Sequence, residues 1–340
     1  MGTLLARATR GGTLRQIRYV TPVAPSAARG LVASVYRQVE RDFGMLAPPI
    51  SLHSPAPANL AAAWAMLRES LLAPGRTGRA GREAVAAAVS SANRCPYCVD
   101  VHGSTLAGLM AAGQSTPDRP IAELIAWAQN EPGPAPFPAE HTPEYFGVAV
   151  TFHYLNRMVN IFLPPSPFPP AVRGVARRAA GQMATRLMGS LARRTVLPRQ
   201  SVGLLPTAAL PADLDWARGH AGVAEAFAAA AHAVDQQDIP DTVRAAAQSW
   251  LVKDVRPDLS LKGWLDDAVA GVPARDRPAA RLAALTMYAS YRVTPQYIAD
   301  TGLDDAGLIQ LTSWAALQSA RHIGTRLAAK AYPASVDDAP

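Results

Sequence analysis

Cysteine is nearly absent from this 340-residue chain: there are two, Cys95 and Cys98. So small a number excludes a disulfide framework and a four-cysteine zinc site within one chain, and it means that whatever the two thiols do, they do as a pair. Lysine is almost as scarce, with Lys253, Lys262 and Lys330 against thirty arginines. The net charge of +7 is therefore carried by arginines scattered along the chain. Scatter of this kind argues against a nucleic-acid surface, and no nucleic-acid partner is expected. Long apolar runs are missing too: nothing approaches the roughly 18 residues of a membrane span, so no membrane partner is expected. The first 20 residues carry Arg7, Arg10, Arg15 and Arg18 and lack the apolar stretch of about 7–15 residues that a secretory signal needs. A cytoplasmic protein is the expectation. Aromatic residues reach 6% and charged residues 17%, the latter below the typical share of about 25%, while 49% of the chain is hydrophobic, which excludes intrinsic disorder. Much of that apolar fraction is alanine and β-branched runs are few, so the expected fold class is all-α, with helices packed closely.

At roughly 150 residues per domain, the length allows two domains or one large one. Apolar spacing predicts helices over 29–43, 59–73 and 81–93, and a further one starting at Pro96, where proline suits the first helical position, and running to Gly113. The proline-rich stretch 131–143 reads as a loop, followed by one long helix to Leu163. Residues 171–194 form a basic amphipathic helix, read as a solvated face without assigned function. Pro198, Pro206 and Pro211 mark a boundary, after which helices are predicted over 213–236, 241–254, 276–291 and 304–331. The domain expectation is a motif-bearing helical domain over 1–195 and a second helical domain over 213–332. The run from Asp276 can be laid over that from Gly81 as a degenerate repeat; on that register Ser290 falls at Cys95, Val293 at Cys98 and Tyr297 at His102, so a second copy would lack the motif.

The chemistry is concentrated in one segment: Glu83, eleven residues, Cys95-Pro96-Tyr97-Cys98, three residues, His102. At about 100° per residue, Cys95, Cys98 and His102 fall within an arc of roughly 60° on the helix that starts at Pro96. Cys95 takes the N-cap, where unpaired N–H groups and the positive end of the helix dipole ease thiolate formation. His102, one turn after Cys98, can accept a thiol proton. Glu83 lies on the preceding helix; if the two helices pack antiparallel, it can orient His102 or take the proton onward. A peroxide can oxidise one thiol to a sulfenic acid, the other thiol can condense with it to a disulfide and water, and an external dithiol can reset the pair. Such a cycle needs no metal and no bound cofactor, and neither is expected. As metal ligands, Cys95, Cys98 and His102 lack an obvious fourth partner.

The spacing of these four residues resembles the active-site signature of the alkylhydroperoxidase D-like proteins of the carboxymuconolactone decarboxylase superfamily. The specific motif covers 83–102; a looser likeness covers roughly 45–163, and the C-terminal part is matched weakly or not at all. The resemblance implies an all-helical fold, homo-oligomeric assembly, and reduction of organic hydroperoxides by an external dithiol or a redox-partner protein. It implies Cys98 as the peroxide-reactive thiol, Cys95 as its resolving partner, His102 as proton acceptor and Glu83 as the far end of a proton relay. The best-known peroxidase members have Ser-His inside the cysteine pair, where this chain has Pro96-Tyr97. The superfamily also holds decarboxylases that lack the cysteine pair, so its name does not imply decarboxylation here. Cys-Pro-Tyr-Cys is also the active-site tetrapeptide of glutaredoxins, but that fold needs a β-strand leading into the motif, and the residues before Cys95 are helical in pattern. The alternative on the same fold is a thiol–disulfide oxidoreductase without peroxidase activity, or a redox-sensing interaction protein.

Overall fold

The computed structural model describes residues 12, 14–114, 120–129, 134–167, 174–252, 259 and 263–331, with the backbone alone for 174–178. Among these residues there is no strand, as the all-α expectation requires. Eleven helices build the framework. They are α1 (Gly30–Asp42), α2 (Pro57–Leu67), α3 (Arg79–Ala92), α4 (Pro96–Ala111), α5 (Ile121–Ala128) and α6 (Thr142–Phe162), then α7 (Gly174–Ala192), α8 (Ala221–Asp235), α9 (Asp241–Val252), α10 (Arg277–Ala289) and α11 (Asp305–Ala331). Prolines stand in the first turn of α2, α4, α6 and α10, where a missing N–H costs nothing and a fixed φ favours the helix.

Helix α6 is the axle. Every residue from Thr142 to Phe162 except Asn160 is buried, so it takes neighbours all round: α3 on one side and α11 on another. Small residues permit the close approaches. A Cβ on Gly324 of α11 would stand 2.8 Å from Val150 Cγ2 of α6, so only glycine lets these helices meet at that point. One hydrophobic cluster draws Trp64, Phe146 and Phe162 from the first half of the chain together with Phe227 and Trp314 from the second. No helix among the described residues is long and apolar enough to cross a membrane.

Two predicted helices differ from those observed. The helix expected over 59–73 leaves α geometry after Leu67 and continues as a π-helical turn over Arg68–Leu72, in which the Arg68 side chain is fully buried. The single helix expected over 213–236 is two elements: a 3₁₀ segment, Ala212–Ala217, and then α8. The break falls at Gly219 and His220, because His220 is a helix cap, its Nδ1 accepting the Val223 N–H at 3.2 Å. Helix α5 lies in a stretch that the apolar pattern left unassigned.

Among the core polar groups, His53 is fully buried, with Nδ1 3.2 Å from the Ile50 carbonyl and Nε2 2.8 Å from the Tyr154 hydroxyl. Burial pulls its pKa down to about 4. Between that value and the ordinary one near 6.5 the unfolded chain binds a proton that the fold does not, so stability rises with pH across this window and is complete above it. Acidification from pH 7 to 4 is expected to remove about 3 kcal/mol through this residue. Urea denaturation of the protein and of His53→Gln at both pH values measures it as the difference in slope; equal slopes refute it.

Candidate active site

Helices α3 and α4 form an antiparallel pair joined by a very short reversal. Asn93 caps α3, Arg94 takes a left-handed backbone conformation (φ 52°), and Cys95 then stands at the N-cap of α4 with its N–H donated to the Ser90 carbonyl at 2.9 Å. A left-handed arginine costs roughly 1–2 kcal/mol. Its side chain is anchored in compensation, with Nη1 3.2 Å from the Tyr291 hydroxyl and the guanidinium 4.9 Å from that ring's centre. The second half of the chain thus holds the loop that presents the first cysteine.

The antiparallel pairing brings Glu83 to His102. The carboxylate Oε2 and imidazole Nδ1 lie 2.7 Å apart, and the other oxygen, Oε1, accepts two hydrogen bonds from Arg79, from Nε at 2.8 Å and Nη2 at 2.7 Å. Burial pushes the Glu83 carboxyl up, but Arg79 and His102 more than offset this and hold it below the usual carboxylate range. The ring of Phe152, on α6, meets the imidazole edge-on at 4.5 Å between centres and fixes its plane.

Both cysteines are free thiols and buried. Cys95 stands at the N-cap of α4 as expected but makes no side-chain capping hydrogen bond to it; its hydrogen-bond partner is Cys98. That hydrogen bond, together with burial, raises the Cys98 thiol well above its ordinary range, while a hydrogen bond with Asn156 works in the opposite direction. The resting thiol is therefore protonated at neutral pH, and its reaction as a thiolate requires a base. Asn156 is set by its neighbours: Nδ2 donates to Ser90 Oγ at 3.0 Å, and Oδ1 accepts from Asn93 Nδ2 at 3.0 Å.

Cys98 and His102 open on the same cavity, of about 290 Å³, whose walls are mostly apolar and include Tyr97, Phe152, Leu155 and Met188. Cys95 is not among the described residues that line it. Tyr97 closes the helix-start side, its hydroxyl 3.5 Å from Gln16 Oε1, and burial raises its phenol. The roof comes from α7, which the sequence left without a role: Ala184, Leu187 and Met188 line the cavity. This helix crosses α4 at Gly108 and Gly189, where a Cβ on Gly189 would lie 2.7 Å from the Gly108 backbone. Arg79, Asn156, Phe152 and the α7 residues were not identified from sequence. Arg79 alone left a signal, four residues before Glu83 and so on the same helix face. Among the described residues no group of three or more His, Cys, Asp or Glu side chains is arranged to hold a metal ion.

The carboxymuconolactone decarboxylase family model matches residues 58–131, a segment that contains Glu83, Cys95, Cys98 and His102. Alkyl hydroperoxide reductase of Mycobacterium tuberculosis (strain ATCC 25618 / H37Rv) is 36% identical over 341 residues, spanning 94% of this chain and 97% of that protein. The chain belongs to the carboxymuconolactone decarboxylase family. The likeness to this alkyl hydroperoxide reductase runs through α8–α11 as well as the motif helices, farther than the motif by itself indicated. No solved structure matches the chain.

Proposed function

We propose that the protein is a thiol peroxidase that reduces organic hydroperoxides through Cys98 and Cys95. The carrying observation is that the Cys98 thiol and an imidazole already held by a carboxylate line one apolar cavity. His102 takes the Cys98 proton as the thiolate attacks the outer peroxide oxygen; the O–O bond breaks, Cys98 becomes a sulfenic acid, and the alkoxide leaves as the alcohol with the proton returned by His102. The Cys95 thiol, in hydrogen-bond contact with Cys98, then condenses with the sulfenic acid, releasing water and closing the disulfide. A dithiol, small or carried by a partner protein, reduces the disulfide and is itself oxidised to its disulfide. In this reading the chain works as a homo-oligomer. The name of the Mycobacterium tuberculosis relative supports the same chemistry.

The test is anaerobic reaction of the reduced protein with cumene hydroperoxide. The expected result is one peroxide reduced to its alcohol for each two thiols lost, with a Cys95–Cys98 disulfide found by peptide mapping. Peroxide left intact, with the same disulfide forming readily from an oxidised dithiol, would replace the peroxidase by plain thiol–disulfide exchange.

A further inference from the structure

We propose that Arg79 is a positioning residue that keeps Glu83 as the fixed counter-ion of His102, so that the proton taken from Cys98 stops on the imidazole and goes no farther. This rests on the peroxidase reading and departs from the relay that the family resemblance implies, in which Glu83 would carry the proton onward. The geometry is that of a carboxylate with no oxygen to spare. Oε1 is held by two N–H groups of Arg79 and Oε2 faces Nδ1 of His102, with Glu83 itself 1% exposed. To accept the proton from Nδ1, Glu83 would have to become neutral while buried beside a guanidinium that holds its other oxygen, and an opposite charge at hydrogen-bond distance favours the ionised form.

A carboxylate so held does what a counter-ion does: it fixes the tautomer with the proton on Nδ1, leaves Nε2 as the basic nitrogen, and stabilises the imidazolium once formed. The proton then remains within reach of the leaving alkoxide, which needs it in the next step. Other charged groups around the pair have partners elsewhere or stand farther along the walls. Arg82, on α3, lies within electrostatic reach of Arg79 and Glu83 but gives its hydrogen bonds to the carbonyls of Ser70 and Ala73; Asp42, at the end of α1, pairs with Arg41 and Arg68. Arg194, after α7, shares a small cleft with Arg79, Glu83 and His102, and Cys98 and Asp100 share the main cavity with the imidazole. From α6 the pair meets the uncharged Phe152.

Removing the cation raises the proton affinity of the Glu83–His102 pair as a whole, whichever member then holds the proton. The readout is the rate of Cys98 alkylation by iodoacetamide against pH, in a Cys95→Ser background so that one thiol reacts. Arg79→Gln is expected to move the acid-side limb of this profile up by about one pH unit, about a tenfold loss of rate on the limb. Arg79→Lys, which keeps the charge, returns it toward the parent position. Glu83→Gln, which removes the counter-ion, moves the limb the other way. A uniform loss of rate with the limb in place, or a limb that Lys does not restore, reduces Arg79 to a structural residue and overturns the proposal. Should Arg79→Gln not fold, Glu83→Gln decides alone: an unmoved limb with a lowered plateau marks Glu83 as an onward carrier. Alkylation needs no peroxide turnover, so failure here is distinct from failure of the peroxidase reading.

Discussion

Peroxide turnover in Cys98→Ser is expected to fall to the rate of free dithiol with peroxide, whereas Cys95→Ser should complete one reaction and stop. The asymmetry follows from where the two thiols sit. Cys98 opens on the cavity and Cys95 does not appear in its described lining, so peroxide meets Cys98 first. Without Cys98 no thiol among the described lining residues shares the cavity with His102, and a serine hydroxyl is neither acidic nor nucleophilic enough to replace it. Without Cys95 the sulfenic acid has no partner within the chain: with no dithiol added, one equivalent of peroxide adds one oxygen atom to the protein, and a second equivalent adds another and carries Cys98 irreversibly to the sulfinic acid. Stopped-flow peroxide consumption with intact-protein mass spectrometry reads both outcomes. Sustained turnover in either variant removes the redox pair from the mechanism.

The largest expected effect on stability lies at Arg68. Its guanidinium, fully buried in the π-helical turn, donates from Nε to Asp42 at 2.7 Å, from Nη1 to Glu69 at 2.6 Å and from Nη2 to the Leu197 carbonyl at 2.6 Å. Glu69 in turn accepts from Ser201 Oγ at 2.6 Å and from the Arg199 N–H at 2.9 Å. One cation thereby ties the end of α1 and the segment around residues 197–201 to the turn after α2. Arg68→Met leaves two carboxylates buried without their shared cation, a change that typically costs about 3–5 kcal/mol. The triple variant Arg68→Met, Asp42→Asn, Glu69→Gln removes the stranded charges and is expected to recover much of that loss, since residues in one network are not additive. Chemical denaturation of the three proteins measures it; a loss below about 1 kcal/mol in Arg68→Met would show the network to be no better than a surface ion pair.

The placement of the candidate site residues was legible in the sequence because it obeys a local period. Cys98 and His102 are four residues apart and so share a face of α4, and Glu83 needed only an antiparallel partner helix to reach His102. The cavity was not legible. Its roof is contributed by Ala184, Leu187 and Met188, ordinary helix residues whose meaning comes from a long-range crossing at two glycines. Nothing marked Arg68 within the helix expected over 59–73, because burial of a charge shows only when its partners, up to 129 positions away, are folded around it. The break before α8 escaped for a similar reason: a histidine cap is weaker punctuation than the serine, threonine or aspartate that usually mark a helix start.

The contact between Gly108 and Gly189 fixes more than the position of one helix. Backbone against backbone is the nearest two helices can stand, so the headroom above the Cys98 thiol is set at its floor by a point ten residues along α4 from it. Any side chain introduced there acts as a spacer, prising the roof upward by its own thickness without touching the reacting atoms. Within this architecture, the girth of the molecule admitted to the sulfur and the reactivity of that sulfur are separate quantities, written at separate positions of the same helix.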